Sequence, residues 1–215
     1  AVRLYGVDIY GAFTRSVSRG NNVSVGKTIL KYAGAANERE QAPHLLVGAK
    51  DGNRKWCFYA ADPAADPYRF AVVDLEAEYD ISSIQLIDSR SIETGSDNKN
   101  LDTYQVYAAT ERPDLTAITT QGDTNTCWTL IHDGHDEGSV SDKRMVFTPA
   151  VRARYLKLWI PRTTAEMNDM KASKLFGLNV YGTAATALAT PQAETTADTS
   201  CYDLSGIRRP SPTLG

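Results

Sequence analysis

A change of polarity at every second residue constrains this chain more than any other feature. Across Lys55 to Asp88, KWCFYAADPAADPYRFAVVDLEAEYDISSIQLID, and again across Val151 to Pro161, VRARYLKLWIP, apolar and polar side chains alternate, with Pro, Asp and Gly at the boundaries. Successive side chains of a strand point to opposite faces, so this alternation predicts strands buried on one face and wet on the other. Antiparallel sheets accommodate such strands. The same reading places strands over 27–33, 55–60, 69–75, 80–88, 102–109, 127–132, 143–148, 152–160 and 174–181. Loops rich in Gly, Pro, Asp and Asn separate them, and no βαβ pattern intervenes, so an all-β sandwich or jelly roll is expected. Helix should be scarce, one turn at most over Asn37 to Gln41.

The order of these strands carries a resemblance. A Trp-bearing strand (Trp56) is followed by one ending in Val-Asp-Leu (Val73 to Leu75) and by the Ile-Ser-x-Ile run at Ile81. Tyr-x-Val-Tyr (Tyr104 to Tyr107), Trp128-Thr129 and Ala-Arg-Tyr-Leu-Lys-Leu (Ala153 to Leu158) come next. This order resembles the discoidin fold, the coagulation factor V/VIII C-type domain and its bacterial relative, carbohydrate-binding module family 32. The resemblance covers Lys27 to Gly182. It implies a discoidin-like, galactose-binding-like jelly-roll β-sandwich and a binding module, not an enzyme.

With 215 residues, one sandwich with flanking tails is expected, large enough to bury its own core. The formal net charge is −3, from 26 acidic and 23 basic residues, which provides no basic field for nucleic acid or anionic lipid. No run approaches the roughly 20 apolar residues that span a bilayer, so membrane insertion is not expected. The first residues lack a signal pattern, which places any signal peptide upstream. Cys57, Cys127 and Cys201 have no metal spacing, and an odd number cannot form a closed disulfide framework. Cys57 and Cys127 fall in expected strands and read as buried free thiols.

An internal near-repeat suggests neighbours. Val2 to Gly11, VRLYGVDIYG, matches Ser173 to Gly182, SKLFGLNVYG, position by position from Arg3. In discoidin-like domains such a Tyr-Gly closes the last strand, so residues 1–11 are expected to be the last strand of a preceding related sandwich. Residues 12–26, rich in Ser, Arg, Gly and Asn, read as a linker, and 27–182 as the module. Residues 183–200, rich in Ala and Thr, read as a flexible linker. Residues 201–215, CYDLSGIRRPSPTLG, resemble a truncated form of the sorting-type tails that end many secreted proteins of glycan-degrading Gram-negative anaerobes. An extracellular or cell-surface location is expected.

No catalytic constellation is visible. HDGHD, from His132 to Asp136, holds the one close histidine pair, but an Asp-Gly turn after a strand reads as a solvated loop and not as a metal site. Glu76 and Glu78 could suggest a glycosidase dyad, yet they follow Asp74-Leu75 at a turn where the family has Asp-Leu-Gly. There is no Gly-x-Ser-x-Gly elbow and no phosphate loop. Family members often hold a structural calcium ion. Here Val47 and Ala49 stand in place of its first acidic pair and Gly177 in place of its Glu, with Asp51 and Asn53 the remaining oxygen donors nearby. No cofactor is therefore expected, and calcium is disfavoured.

Sugar recognition needs planar hydrogen-bonding side chains, with an aromatic face for the apolar side of the ring. The resemblance assigns that role to loops at the end of the sandwich facing away from the termini. Residues matching it are Glu38 and Gln41 in AANEREQAP, and Tyr59 after Trp56. Arg90, Glu93, Asn98 and Asn100 follow in DSRSIETGSDNKNLD, and Asn168 in TTAEMNDMK. Asn100 and Glu93 also match a Glu…Asn-Thr-x-x-Tyr pattern in modules attached to endo-β-N-acetylglucosaminidases of glycoside hydrolase family 85. The family's ligand-binding His and an aromatic rim are missing. The expected function is a non-catalytic carbohydrate-binding module of a secreted or surface glycoside hydrolase, with a glycan and the preceding domains as partners. The alternative is a structural spacer or protein-interaction sandwich. A membrane-binding domain would need apolar spikes with basic neighbours, and the loops over 35–43 and 89–101 are polar.

Overall fold

The computed structural model describes residues 21–35, 37–47, 54–59, 67–88, 101, 103–134, 142–161 and 172–185, with the backbone of 201–202 and 208–209; the side chains of Tyr59, Asp142 and Ala172 are outside this set. The strands are β1 (Asn21–Asn22), β2 (Thr28–Ala33), β3 (Trp56–Tyr59), β4 (Tyr68–Asp88) and β5 (Gln105–Ala109). There follow β6 (Ile118–Thr119), β7 (Gly122–Asp123), β8 (Thr129–Asp133), β9 (Asp142–Pro161) and β10 (Ala172–Ala184). The first compact unit ends at Ala185. In the second, Thr186–Gly215, β11 (Cys201–Tyr202) pairs with β12 (Arg208–Arg209).

The hydrogen-bonded order is β1-β10-β4-β9-β5-β8, with β2 on β4 and β3 on β10. Two strands are long enough to serve both layers. Residues 68–74 of β4 pair with β2 and with 155–161 of β9, whereas 79–88 pair with β10 and with 142–153. The sheet thus folds over on itself at the corner between Asp74 and Tyr79, where the register slips. The expected breaks between 69–75 and 80–88, and between 143–148 and 152–160, are therefore bends and not loops. Each half keeps its alternation because the corner re-phases the backbone without ending the pairing.

Alternation then builds the core. Ala71, Val73 and Leu75 from the first half of β4, and Ile81, Ile84 and Leu86 from the second, meet Trp56, Phe58, Leu156, Leu158, Leu178 and Val180 in one cluster. Phe70, Val72 and Trp159 point to the opposite face and form a second cluster with Ile118, packed against by Tyr107 and Trp128. Trp56 and Trp159 are core. Trp128 and Cys127 are half-buried and precede β8, which starts at Thr129. Here the expected strand began too early, since the turns over 110–128 cover the sheet without joining it. Likewise β5 starts at Gln105, three residues after its expected start.

The boundary with the first linker also moves. Asn21 and Asn22 pair with Gly182 and Tyr181. Beyond them, Asn22 Nδ2 donates to Asn179 Oδ1 at 3.0 Å, Val23 N donates to Val180 O at 2.7 Å, and Ser24 Oγ donates to Leu178 O at 2.8 Å. The last residues of 12–26 belong to the sandwich because their polar side chains cap the edge of β10, a role that leaves no apolar period to read. At the other boundary Thr183 and Ala184 continue β10, so the second linker starts later than residue 183. Over 37–41 there are bends and turns, and two short 3₁₀ segments follow among the described residues, one at Ala42–Leu46 whose Ala42, Leu45 and Leu46 enter the core and one at Leu115–Ala117.

Candidate functional site

Because β4 turns over at its corner and returns in the other layer, its two ends, Tyr68 and Asp88, lie at one end of the sandwich. Partner strands begin or finish there as well: Pro161 pairs with Tyr68, Ala33 with Phe70, Asp142 with Ile87, and Leu175 with Asp88. Ala172 pairs with Tyr59, and Gln105 with both Asp133 and Trp159. At the opposite end Thr28 pairs with Asp74, Asn21 with Gly182 and Ala184 with Tyr79. The sandwich therefore has a loop end and a terminal end, as the resemblance implied.

The segment leading from β2 is held by its own polar groups. Asn37 Oδ1 accepts from Arg39 N at 2.8 Å, and Asn37 Nδ2 donates to Glu40 Oε2 at 2.8 Å. Glu40 Oε1 lies 3.5 Å from Lys55 Nζ, and Glu40 O accepts from Cys57 N. Lys55 in turn sits over the buried ring of Phe176 at 5.6 Å. Of the expected contacts, Glu38 is exposed and Gln41 half-buried, its carbonyl accepting from His44 N at 3.1 Å. Tyr59 ends β3 and its side chain lies outside the described residues, as do Arg90, Glu93, Asn98, Asn100 and Asn168. Glu40 and Lys55 were not anticipated, because their contact joins positions 15 residues apart with no periodic signal.

Below this rim the interior turns polar. Asp88, Lys143 and Ser173 are buried at the loop end among core positions, with Thr103 and Tyr104. His132 Nε2 lies 3.3 Å from Tyr104 Oη, and Lys143 Nζ stands 5.6 Å from the Tyr104 ring. His132 is thus a packing residue of β8; His135 and Asp136 lie outside the described residues. Among the described residues no three His, Cys, Asp or Glu side chains are grouped to hold a metal. Glu76 and Glu78 sit at the terminal end, where Glu76 pairs with Lys27 at 2.7 Å and Glu78 lies 3.9 Å from Arg152, so they form no dyad at the loop end.

No protein-family model and no curated protein matches the chain. Solved structures do. Chitosan-binding module 1 of a chitosanase/glucanase from Paenibacillus sp. IK-5 superposes with a TM-score of 0.54 at 15% identity, covering 75% of this chain and 99% of that one. The family 32 carbohydrate-binding module of EndoD from Streptococcus pneumoniae gives 0.55 at 13% identity, with coverage of 75% and 99%. A serum fucolectin from Morone saxatilis, striped bass, gives 0.54 at 14%, covering 75% of this chain and 48% of that one. The chain has the discoidin-like jelly-roll fold.

Within this discoidin-like sandwich, the described positions of the expected calcium site do not suit the ion. Leu45 and Leu46 are core residues of the 3₁₀ segment, and Val47 offers no side-chain oxygen. At Gly177 there is no side-chain oxygen, and the nearest neighbour of an added Cβ would be the apolar Ile87 Cδ1, at 3.0 Å. Calcium requires several oxygen ligands.

Proposed function

We propose that this discoidin-like sandwich is a non-catalytic carbohydrate-binding module that holds a secreted or surface glycoside hydrolase, such as an endo-β-N-acetylglucosaminidase, on its glycan substrate. The observation that carries the reading is the convergence of strand ends at a loop end opposite the terminal end, where the chain enters and leaves. Solved structures of this fold include a chitosan-binding module in complex with chitotriose (TM-score 0.54, 15% identity). Glu38, Gln41, Tyr59, Arg90, Glu93, Asn98, Asn100 and Asn168 would contact the glycan through planar hydrogen-bonding groups matched to vicinal hydroxyls. A shallow site of this kind binds with a millimolar to high-micromolar Kd, roughly −4 to −6 kcal/mol.

A related module just upstream would add avidity. Supporting it, Gly182 is required in β10 because a Cβ there would come within 2.8 Å of Asp80 O, and the near-repeat has Gly11 at this position and Gly6 at that of Gly177. Leu4, Val7 and Ile9 stand where β10 buries Leu175, Leu178 and Val180.

A glycan array probed with the whole chain, beside an Arg90→Ala/Asn100→Ala double variant, tests the function. Binding lost in the variant supports the module and places its site; a folded wild-type chain that binds nothing selects the spacer alternative.

A further inference from the structure

A one-residue slip between β5 and β8 puts two unlike side chains on one face. The pairing runs Gln105 with Asp133 and Val106 with His132, then Tyr107 with Leu130, so Ile131 is the extra residue of a bulge. In an unbroken strand, positions 130 and 133 would face opposite ways. Here both stand beside outward residues of β5: Val106 and Ala108 enter the core, whereas Tyr107, and Gln105 two residues before it, lie on the other face.

The four residues make a small mixed platform on the flank of the sandwich. Leu130 is 45% exposed, an apolar side chain that the fold leaves in water, and Asp133 is exposed as well. Gln105 and Tyr107 are half-buried. Tyr107 Oη donates to Gln105 Oε1 at 2.9 Å, and Gln105 Nε2 lies 3.5 Å from Asp133 Oδ2. The Tyr107 ring is fixed in turn by the Lys157 ammonium, 4.4 Å from its centre. Asp133 forms no ion pair among the described residues, so a carboxylate without a counter-charge stands beside a held amide.

We propose that Tyr107, Leu130, Gln105 and Asp133 form a second glycan subsite, on the flank and apart from the loop end, for a neutral pyranose with a free vicinal diol; this rests on the carbohydrate-binding reading above. A sugar ring presents C–H groups on its faces and hydroxyls at its edge. Leu130 and the Tyr107 ring suit the first, while the Asp133 carboxylate can accept from two neighbouring hydroxyls and the Gln105 amide can donate to one. Because these groups are already held, binding orders little that is free. A uronate would bring a second negative charge against Asp133, and a methylated diol would lack the donors that the carboxylate needs. None of the contact residues expected from the sequence belongs to this platform, since the bulge at Ile131 breaks the alternation that would have aligned positions 130 and 133.

The test is NMR titration of the whole ¹⁵N-labelled chain, its amides assigned, with methyl β-glucopyranoside, the corresponding glucuronide and the fully O-methylated glucoside. The glucoside should shift the amides of Tyr107, Leu130 and Asp133 and the side-chain amide of Gln105, saturating with a Kd on the order of millimolar. The glucuronide should bind this flank about tenfold more weakly, and the methylated sugar should leave it unshifted. In a Gln105→Ala/Asp133→Ala variant the shifts at Tyr107 and Leu130 should vanish, with the melting temperature within about 2 °C of the wild type, as for other replacements outside a core. No shift on β5 and β8 with the glucoside, equal binding of the glucuronide, or shifts that persist in the variant overturns the proposal. If the array still shows binding that depends on Arg90 and Asn100, the loop-end reading stands without this subsite; if the array is blank and the flank does not shift, both fail.

Discussion

Glu76 holds a backbone conformation that a side chain resists. Its φ is +68°, and its N–H is caught by Asp74 Oδ1 at 2.7 Å to make the corner of β4. A left-handed residue with a Cβ costs about 1–2 kcal/mol, and the exposed pair with Lys27 returns roughly 0.2–1 kcal/mol at most. Glu76→Gly should therefore stabilise the sandwich by about 0.5–1 kcal/mol, a melting-temperature gain of about 1–4 °C read by calorimetry. Asp74 adds a pH dependence. Two hydrogen bonds from Arg154, at 2.9 and 3.1 Å, hold its carboxyl below the usual range. The unfolded chain then binds the proton more readily, so this stabilisation is complete above the ordinary Asp value of about 3.9 and is lost as pH falls through the lower folded value. Asp74→Asn should be less stable at neutral pH, and its melting temperature should fall less between pH 5 and pH 3 than that of the wild type.

Among elements, the hairpin of β6 and β7 shows what burial does to charge. Lys157 of β9 and Asp123 of β7 pair at 2.5 Å with both side chains almost wholly buried. The rings of Tyr107, Trp128 and Trp159 surround the ammonium at 4.4, 4.8 and 4.9 Å. Burial pushes the Lys157 ammonium below its ordinary value against the pull of Asp123. Burial also opposes ionisation of Asp123, but hydrogen bonds from Lys157 and Asn125 outweigh it and leave that carboxyl lowered. Removing one partner strands the other charge, so Asp123→Ala should cost about 3–5 kcal/mol in a urea melt. Lys157→Met/Asp123→Leu should recover most of that loss. The sequence showed neither partner, because Lys157 occupies a wet-facing position in the alternation of VRARYLKLWIP and only the covering turns over 110–128 dry it. The strands of the core were legible for the opposite reason: Ile84 and Leu86, or Leu156 and Leu158, keep one parity within each half, and parity depends on the backbone alone. The joins at Glu76 and Val151 were not, since a long strand that bends shows the same Asp, Glu and Ala residues as a loop.

At the scale of the whole molecule, the loop end was inferred from resemblance and then located by pairing, whereas its contact residues depend on segments whose spacing carries no period. Glu38 and Gln41 could be named from the resemblance, but the hold of Lys55 on Glu40 required the folded chain. The same limit applied to calcium, where a sequence offset alone could not say that the apolar Ile87 lies beside Gly177. Melting of the chain in excess calcium and in a chelator should give temperatures within about 1 °C of each other, since an ion bound only by the folded state would raise stability in proportion to its saturation. A rise of several degrees with calcium would show that other oxygen donors complete a site.

The antiparallel pairing of Asn21 and Asn22 with Gly182 and Tyr181 brings the first and last strands of the sandwich side by side. A domain whose two ends meet can be grafted into a surface loop of a host without stretching either polypeptide. Inserted that way on short flanks, this sandwich would stand on its host like a plug in a socket, with its free pole pointing outward.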